Sequence, residues 1–306
     1  MSRTPEENFT LTVRSALSDI AEVYTFGSQV TGTAVWDTDV DLAVLFRWGN
    51  EFWVYDKKGY PPIHLVKKRM QEVAERLPKS VKIEDMIPHA RSPLIKVRFG
   101  KVWGDIVIND GNGVLNSRLL RDFLGMADER VVHIVQWMKI WAKSHGLIGG
   151  SCGNLTSYAL TIFTLCVLRD VNWVGSVYAY PVQREAINGL VFTGAEPWEI
   201  DEPEDDPDCT SVKNMVRFVL TRLRDALDPP ASMKHRFAFT IFSEDCWPKS
   251  SLLLPPKDKR PLVIYDPLLG NNVAATLKQG KKQNLLSAIR RALNSINSGA
   301  GLNEII

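Results

Sequence analysis

The sequence has no apolar run of the roughly 20 residues a membrane-spanning helix needs, no Cys-x-x-Cys pair and almost no net charge. Each absence excludes something. Without an apolar span, no membrane partner is expected. The four cysteines, Cys152, Cys166, Cys209 and Cys246, are widely spaced. That argues against a zinc ribbon or a disulfide framework and for reduced, mostly buried thiols in an intracellular protein. A net charge of +2 is too small for a protein coated in nucleic acid. Any nucleic-acid contact must then be a local patch. The start, MSRTPEENFT, is neither a signal peptide nor an arginine-rich transit peptide, and it is compatible with a presequence already removed. No internal repeat is visible. The 306 residues are enough for two domains with real cores.

What is present centres on residues 26 to 46, FGSQVTGTAVWDTDVDLAVLF. An apolar run ends in Gly27-Ser28, a polar turn follows, and Asp39-Val40-Asp41 opens a second apolar run. Alternate side chains of a strand share a face, so Asp39 and Asp41 are expected together with Val40 in a core. Two adjacent carboxylates repel each other and favour a cation. Mg²⁺ (or Mn²⁺) takes hard oxygen ligands and binds triphosphates at the same time. Gly27 lacks the Cβ that would keep backbone from a phosphate, and Ser28 adds a hydroxyl and an exposed N–H at a helix start. The bland alternative is an ordinary loop followed by strand-start acids. A third carboxylate is expected on a later strand, and Asp105 in VWGDIVIND is the candidate.

Along the chain, helical spacing of Phe9, Val13, Leu17 and Ile20 predicts a first helix after Pro5. Pro61-Pro62 opens an amphipathic helix to about Leu77, whose Lys67-Lys68-Arg69 run reads as a solvated face. Strands are expected over 81–86, 94–99 and 102–108, which puts Asp39, Asp41 and Asp105 on neighbouring strands of a mixed sheet. After the breaker cluster 109–113 the pattern turns helical, over 114–124, 129–145, 155–169, 212–227 and 284–296. Residues 194–210 are acidic and proline-rich, as in an exposed loop. The expected organisation is α+β. A catalytic domain over 20–112 precedes a mainly helical domain over 113–306, with helix 5–19 packing on the latter.

The order strand, Gly-Ser, ten residues, Asp-hydrophobic-Asp, strand resembles the signature of the DNA polymerase β-like nucleotidyltransferase superfamily. The similarity extends through ARSPLIKV, NSRLL from Asn116, KIWAKSHGL, GNLTSYAL and YDPLLGNNVA. These resemble, in order and spacing, segments of non-canonical poly(A) polymerases and terminal uridylyltransferases, above all the minimal trypanosomatid enzymes. The resemblance implies a polymerase β-like mixed sheet with a helical nucleotide-recognition domain. It also implies transfer of UMP from UTP to an RNA 3′ end by two Mg²⁺ ions, a mitochondrial location and RNA-editing complex proteins as partners. Asp39, Asp41 and Asp105 would hold metal, and the nucleotide would lie between the domains.

The resemblance assigns roles to further residues, each with a plainer reading beside it. Gly27, Ser28, Lys139 and Lys143 would position the triphosphate, the two lysines being four apart and hence stacked on one helix face. Otherwise they are solvated. Asn116 and Ser117 would meet ribose and uracil, although Asn116 could simply cap its helix. Tyr158, after Ser157, would stack on the base, or be core. Many uridylyltransferases carry a glutamate three residues after the aspartate matching Asp266, where this chain has Leu269. Some carry a histidine before the Asn-Val pair, where this chain has Asn271. The amides of Asn271 or Asn272, each with donor and acceptor, are therefore candidates to read the uracil edge beside Asp266. Alternatives are an ATP-using poly(A) polymerase, a small-molecule nucleotidyltransferase and an inactive scaffold.

Overall fold

The computed structural model describes residues 3–36, 38–47, 62–90, 92–125, 127–169, 171, 173, 184–187, 190–193, 211–230, 238–241 and 260–306. The acidic stretch 194–210, with Cys209, and Cys246 lie outside the described residues. The elements run α1 (Pro5–Leu17), β1 (Ala21–Phe26), β2 (Val40–Phe46), α2 (Ile63–Arg76), β3 (Val81–Ile87), β4 (Leu94–Phe99), β5 (Val102–Ile108), α3 (Asn112–Gly125), α4 (Glu129–Ser144) and α5 (Ser157–Arg169). A hairpin β6 (Arg184–Ile187) and β7 (Leu190–Thr193), helix α6 (Val212–Leu227), short strands β8 (Ala238–Phe239) and β9 (Val263–Ile264), and helix α7 (Gln279–Asn297) complete it. Two compact units result, one of residues 1–121 with 183–193 and one of 122–182 with 194–306. The division thus falls inside α3, whereas the sequence reading put it before that helix.

The first unit holds a five-stranded sheet in the order β1-β2-β5-β4-β3. Only β2 and β5 pair in parallel. Strand β2 is apolar nearly throughout because both of its faces are covered, as parallel-paired central strands require. On one face Val40, Leu42, Val44 and Phe46 join Ile95, Val97, Ile106 and Ile108 under Phe9, Val13, Leu17, Val66, Met70 and Val73 of α1 and α2. Helix α1 therefore belongs to this sheet and not to the helical unit, which corrects the expectation for residues 5–19. The reason is local: a Cβ on Gly104 of β5 would sit 2.6 Å from the Phe9 ring, so the missing side chain is the slot that seats α1. A capping box between Thr4 and Glu7, with Pro5 next, starts the helix. Lys67 and Lys68 are exposed, as a solvated face requires, while Arg69 lies 4.4 Å over the Phe46 ring and pairs with Glu72.

The second unit is built around α5, buried from Ala159 through Arg169. A helix apolar all round is what a central position demands. Strands β8 and β9 pair in parallel beside it, and Phe163 meets Phe239 edge-on at 4.7 Å. Helix α4 starts on the Asp128 cap, where hydrogen bonds from Arg130 hold the Asp128 carboxyl below its ordinary value. Helix α7 begins at Gln279, five residues ahead of the apolar pattern that predicted it, because its first turns are exposed and carry no apolar signal. The short strands β6 to β8 were not foreseen. No described helix is long and apolar enough to cross a membrane.

Candidate active site

The geometry of the first unit is set at the end of β1. Phe26 pairs with Asp41 across the antiparallel β1–β2 ladder, and the chain then turns at Gly27 with φ of 76°. That left-handed conformation favours glycine on its own. The stronger reason is proximity: a Cβ there would lie 2.0 Å from Asp41 Oδ2. Gly27 is thus obligatory because backbone passes directly over a carboxylate. The Gly27 N–H donates to Ser117 Oγ at 2.7 Å, and Ser117 Oγ donates to the Gly113 carbonyl at 2.7 Å. Gly113 in turn packs against the Phe26 ring, where a Cβ would be 2.7 Å away. The start of α3 and the end of β1 are therefore locked together through two glycines and one buried hydroxyl.

Residues 27–29 form a single 3-10 turn, closed by Thr31 N–H to Gly27 O and Thr33 N–H to Ser28 O. Thr38, bonded both ways to Val35, brings the chain back to Asp39, which is exposed just ahead of β2. Asp41 and Asp105 are register partners on the parallel pair β2–β5. Their side chains share a face because directly opposed residues do. Asp105 is approached by Lys96 Nζ at 3.3 Å from its register partner on β4. The sequence reading did not single out Lys96, although its alternation with Ile95 and Val97 places it on the Asp105 face.

Among the described residues, no three histidine, cysteine, aspartate or glutamate side chains converge as a metal site. The structure places Asp41 opposite Asp105 and Asp39 two residues upstream. The donor chemistry fits a hard divalent ion, Mg²⁺ or Mn²⁺, since each candidate is a carboxylate and no thiolate or imidazole is among them.

Asn116 and Ser117 are both buried, at 8% and 5% exposure. Asn116 is not the helix cap, since α3 begins at Asn112 and Asp110 accepts the Asn112 N–H at 3.0 Å. Ser117 uses its donor and one acceptor lone pair on Gly113 and Gly27. Its visible role is to hold the turn.

In the second unit, Lys139 and Lys143 lie one turn apart on α4 but in unlike settings. Lys139 is 5% exposed, whereas Lys143 is exposed. Ser157 and Tyr158 open α5. The Tyr158 hydroxyl donates to Asp266 Oδ2 at 3.3 Å. Burial, then the charge of Asp266 and this bond, push the phenol well above its ordinary value, so it stays protonated as a donor. Asp266 is itself 5% exposed, and its Oδ1 accepts the N–H groups of Leu268 and Leu269, each at 2.8 Å. Asn272 is engaged just as fully: Oδ1 accepts from Ile264 N–H at 2.9 Å and Ala274 N–H at 3.0 Å, and Nδ2 donates to Leu262 O at 3.1 Å. Both lone pairs of that amide are thus used by backbone. Asn271 differs. Its side-chain Oδ1 is buried and makes no hydrogen bond among the described residues. Leu269 is 48% exposed.

Comparison with known proteins agrees with this geometry. Residues 9–124 match the family described as poly(A) RNA polymerase, mitochondrial-like, central palm domain. The chain overlays on a structure of Cid1, described with its RNA terminal uridylyl transferase activity, with a TM-score of 0.71 and 20% identity, over 98% of this chain and 90% of that one. It overlays on mtPAP in complex with GTP with a TM-score of 0.73 and 17% identity, over 98% of this chain and 67% of that one. The fold is the polymerase β-like nucleotidyltransferase fold. In sequence, the chain is 27% identical over 154 residues to Poly(A) RNA polymerase GLD2-B of Xenopus laevis. It is also 27% identical over 153 residues to Protein HESO1 of Arabidopsis thaliana. Each alignment takes in 28% of the relative's own length, so the chain matches under a third of either.

Proposed function

We propose that this nucleotidyltransferase extends RNA 3′ ends without a template, transferring UMP from UTP and releasing pyrophosphate. The observation that carries the reading is the register of Asp41 opposite Asp105, with the Gly27 backbone packed against Asp41. Adjacent carboxylates beneath a side-chain-free turn are what a phosphoryl-transfer centre needs. Bound by Asp39, Asp41 and Asp105, divalent metal would lower the pKa of the attacking hydroxyl and neutralise charge on the leaving pyrophosphate.

The chain's own residues hold the parts in place. Ser117 fixes the turn through Gly27, the residue before Ser28. Lys96 supplies a positive charge beside Asp105. Lys143 supplies an exposed cation for a triphosphate, and Tyr158 a ring whose hydroxyl is pinned by Asp266. The choice of UTP is supported by the motif resemblance and by likeness to Cid1. The minimal trypanosomatid type, a mitochondrial site of action and association with an editing complex rest on the motif resemblance.

A second reading, an ATP-using polymerase, is favoured by two observations. The curated relatives include poly(A) RNA polymerases, and an exposed leucine stands at position 269 where the resemblance implies an acid. The test is a labelled RNA with Mg²⁺ and each nucleoside triphosphate in turn. A ladder with UTP is expected. A ladder with ATP alone would replace the first reading by the second, and no extension with any nucleotide would leave a small-molecule transferase or a scaffold.

A further inference from the structure

Five tryptophans fall among the described residues. Trp137, Trp141 and Trp173 are buried at 7%, 0% and 3% exposure. Trp36 and Trp103 are exposed, at 61% and 45%. These two are the ones beside the acids: Trp36 is three residues before Asp39, and Trp103 is two residues before Asp105. A singly exposed ring is ordinary by itself; what sets these two apart is their place beside the acids.

Trp103 can be placed further. Residues i and i+2 of a strand share a face about 7 Å apart, so the indole stands on the Asp105 side of the sheet, next to the carboxylate. The opposite face carries Val102, Ile106 and Ile108 into the core under α1 and α2. The register partner of Trp103 on β4 is Arg98, whose guanidinium lies 5.7 Å from the indole centroid and pairs with Glu84 at 2.7 Å. Lys96 lies beside it on the same strand face, and Lys82 of β3 is the register partner of Arg98. An exposed indole with cations around it, leading to a carboxylate pair, combines the two elements by which proteins hold single strands. A ring stacks on any base, and positive charge follows the backbone.

We propose that Trp103 is the stacking platform for a base of the RNA strand being extended, with Arg98 holding the indole and Lys82 and Lys96 facing the RNA phosphates. The inference rests on the reading of the chain as an RNA nucleotidyltransferase and adds the path by which the RNA reaches Asp105. Arg98 lies 5.7 Å from the ring centroid, and the 45% exposure of Trp103 leaves ring surface for a base.

The experiment measures affinity for a fluorescein-labelled single-stranded oligoribonucleotide by anisotropy at fixed ionic strength, together with KM for RNA and for UTP. Trp103→Ala should raise the RNA Kd roughly five- to a hundredfold while leaving KM for UTP unchanged. Trp103→Phe, which keeps a ring, should recover most of the affinity. The slope of log K against log salt should match wild type in Trp103→Ala, because no phosphate contact is lost, and should become shallower in Lys82→Gln. The residue is exposed, so thermal melting should be unchanged. An unaltered RNA Kd in Trp103→Ala overturns the proposal, as does a rise in KM for UTP alone or a change in oligomeric state. If wild-type protein neither binds nor extends RNA, the functional reading itself has failed, whereas extension by wild type with no effect of Trp103→Ala sinks only the platform.

Discussion

Two loops carry the candidate nucleotide chemistry, and they are built on opposite principles. The Gly27 turn, besides its own internal bonds, is held by what surrounds it: one N–H on Ser117, one glycine against Phe26, and no room for a side chain over Asp41. The Asp266 to Asn272 loop is held by its own side chains, with Asp266 and Asn272 bonded to four backbone N–H groups and one backbone carbonyl within the same unit. Self-sufficiency of that kind leaves few groups for a ligand. The comparison teaches that the carboxylate site is prepared by packing, whereas in the second loop most polar side chains are structural and a single amide oxygen is not.

The largest expected effect breaks the first loop's purpose. Asp39→Ala, Asp41→Ala or Asp105→Ala should each lower primer extension by roughly a thousandfold, since metal-borne charge stabilisation is worth several kcal/mol. Melting temperature should hold, because removing one carboxylate relieves repulsion and takes nothing from the core. Turnover near wild type in Asp105→Ala would remove it from the centre.

Gly27→Ala comes next and tests the packing. The new methyl meets Asp41 at 2.0 Å and sits on a backbone with φ of 76°. Strain of about 1–3 kcal/mol is expected, with a lower melting temperature and a displaced Asp41. An alanine variant as stable and as active as wild type would show that the close approach is not needed.

Ser117→Ala separates a latch from a base reader. Loss of the hydroxyl leaves the Gly27 N–H without its acceptor, costing about 1–3 kcal/mol. As a latch, the change should lower kcat for every nucleotide by a similar factor. A shift in the ratio of UTP to ATP use with unchanged stability would instead make Ser117 a reader of the base.

Tyr158→Phe measures how far the second loop depends on its own bonds. One hydrogen bond to Asp266 is lost, worth about 0.5–1.5 kcal/mol. The folded phenol is shifted above its unfolded value, so its contribution is complete below pH ~10 and declines as pH rises past that point. The wild type should therefore lose stability above pH ~10 more steeply than Tyr158→Phe, as read by chemical denaturation across pH. Parallel profiles would mean that the phenol titrates normally.

Much of this was legible beforehand because strands announce themselves by alternation and the acids sit at strand positions. The spacing from Gly27 to Asp41, and Asp105 amid apolar residues, were enough to expect the carboxylates on neighbouring strands; the register shows this for Asp41 and Asp105, while Asp39 stands just ahead of β2. What could not be read was which surface α1 covers. Phe9, Val13 and Leu17 declare an apolar face without naming its partner, and the partner is decided by a glycine 95 positions on from Phe9. Nor could the sequence separate Asn271 from Asn272. The two are the same residue type in adjacent positions, and only the backbone path shows that one amide is consumed by Ile264, Ala274 and Leu262.

That distinction gives the smallest expected effect on stability and the sharpest on selection. Asn272→Ala should lower the melting temperature and reduce use of all nucleotides alike, because two backbone N–H groups lose their acceptor. Asp266→Ala should behave the same way, since Leu268 and Leu269 N–H and the Tyr158 hydroxyl lose theirs. Asn271→Ala removes an amide whose oxygen is buried and makes no hydrogen bond among the described residues, so it should cost little stability or even add some. If that oxygen meets the edge of a base, its removal should change the ratio of UTP to ATP and CTP use, because a site built to hydrogen-bond one base rejects others through groups left unpaired. The readout is kcat/KM for each nucleotide beside the melting temperature of all three variants. A ratio that moves in Asn271→Ala alone assigns selection to position 271. A ratio that moves only with stability, in Asp266→Ala and Asn272→Ala, shows that the loop selects by its shape.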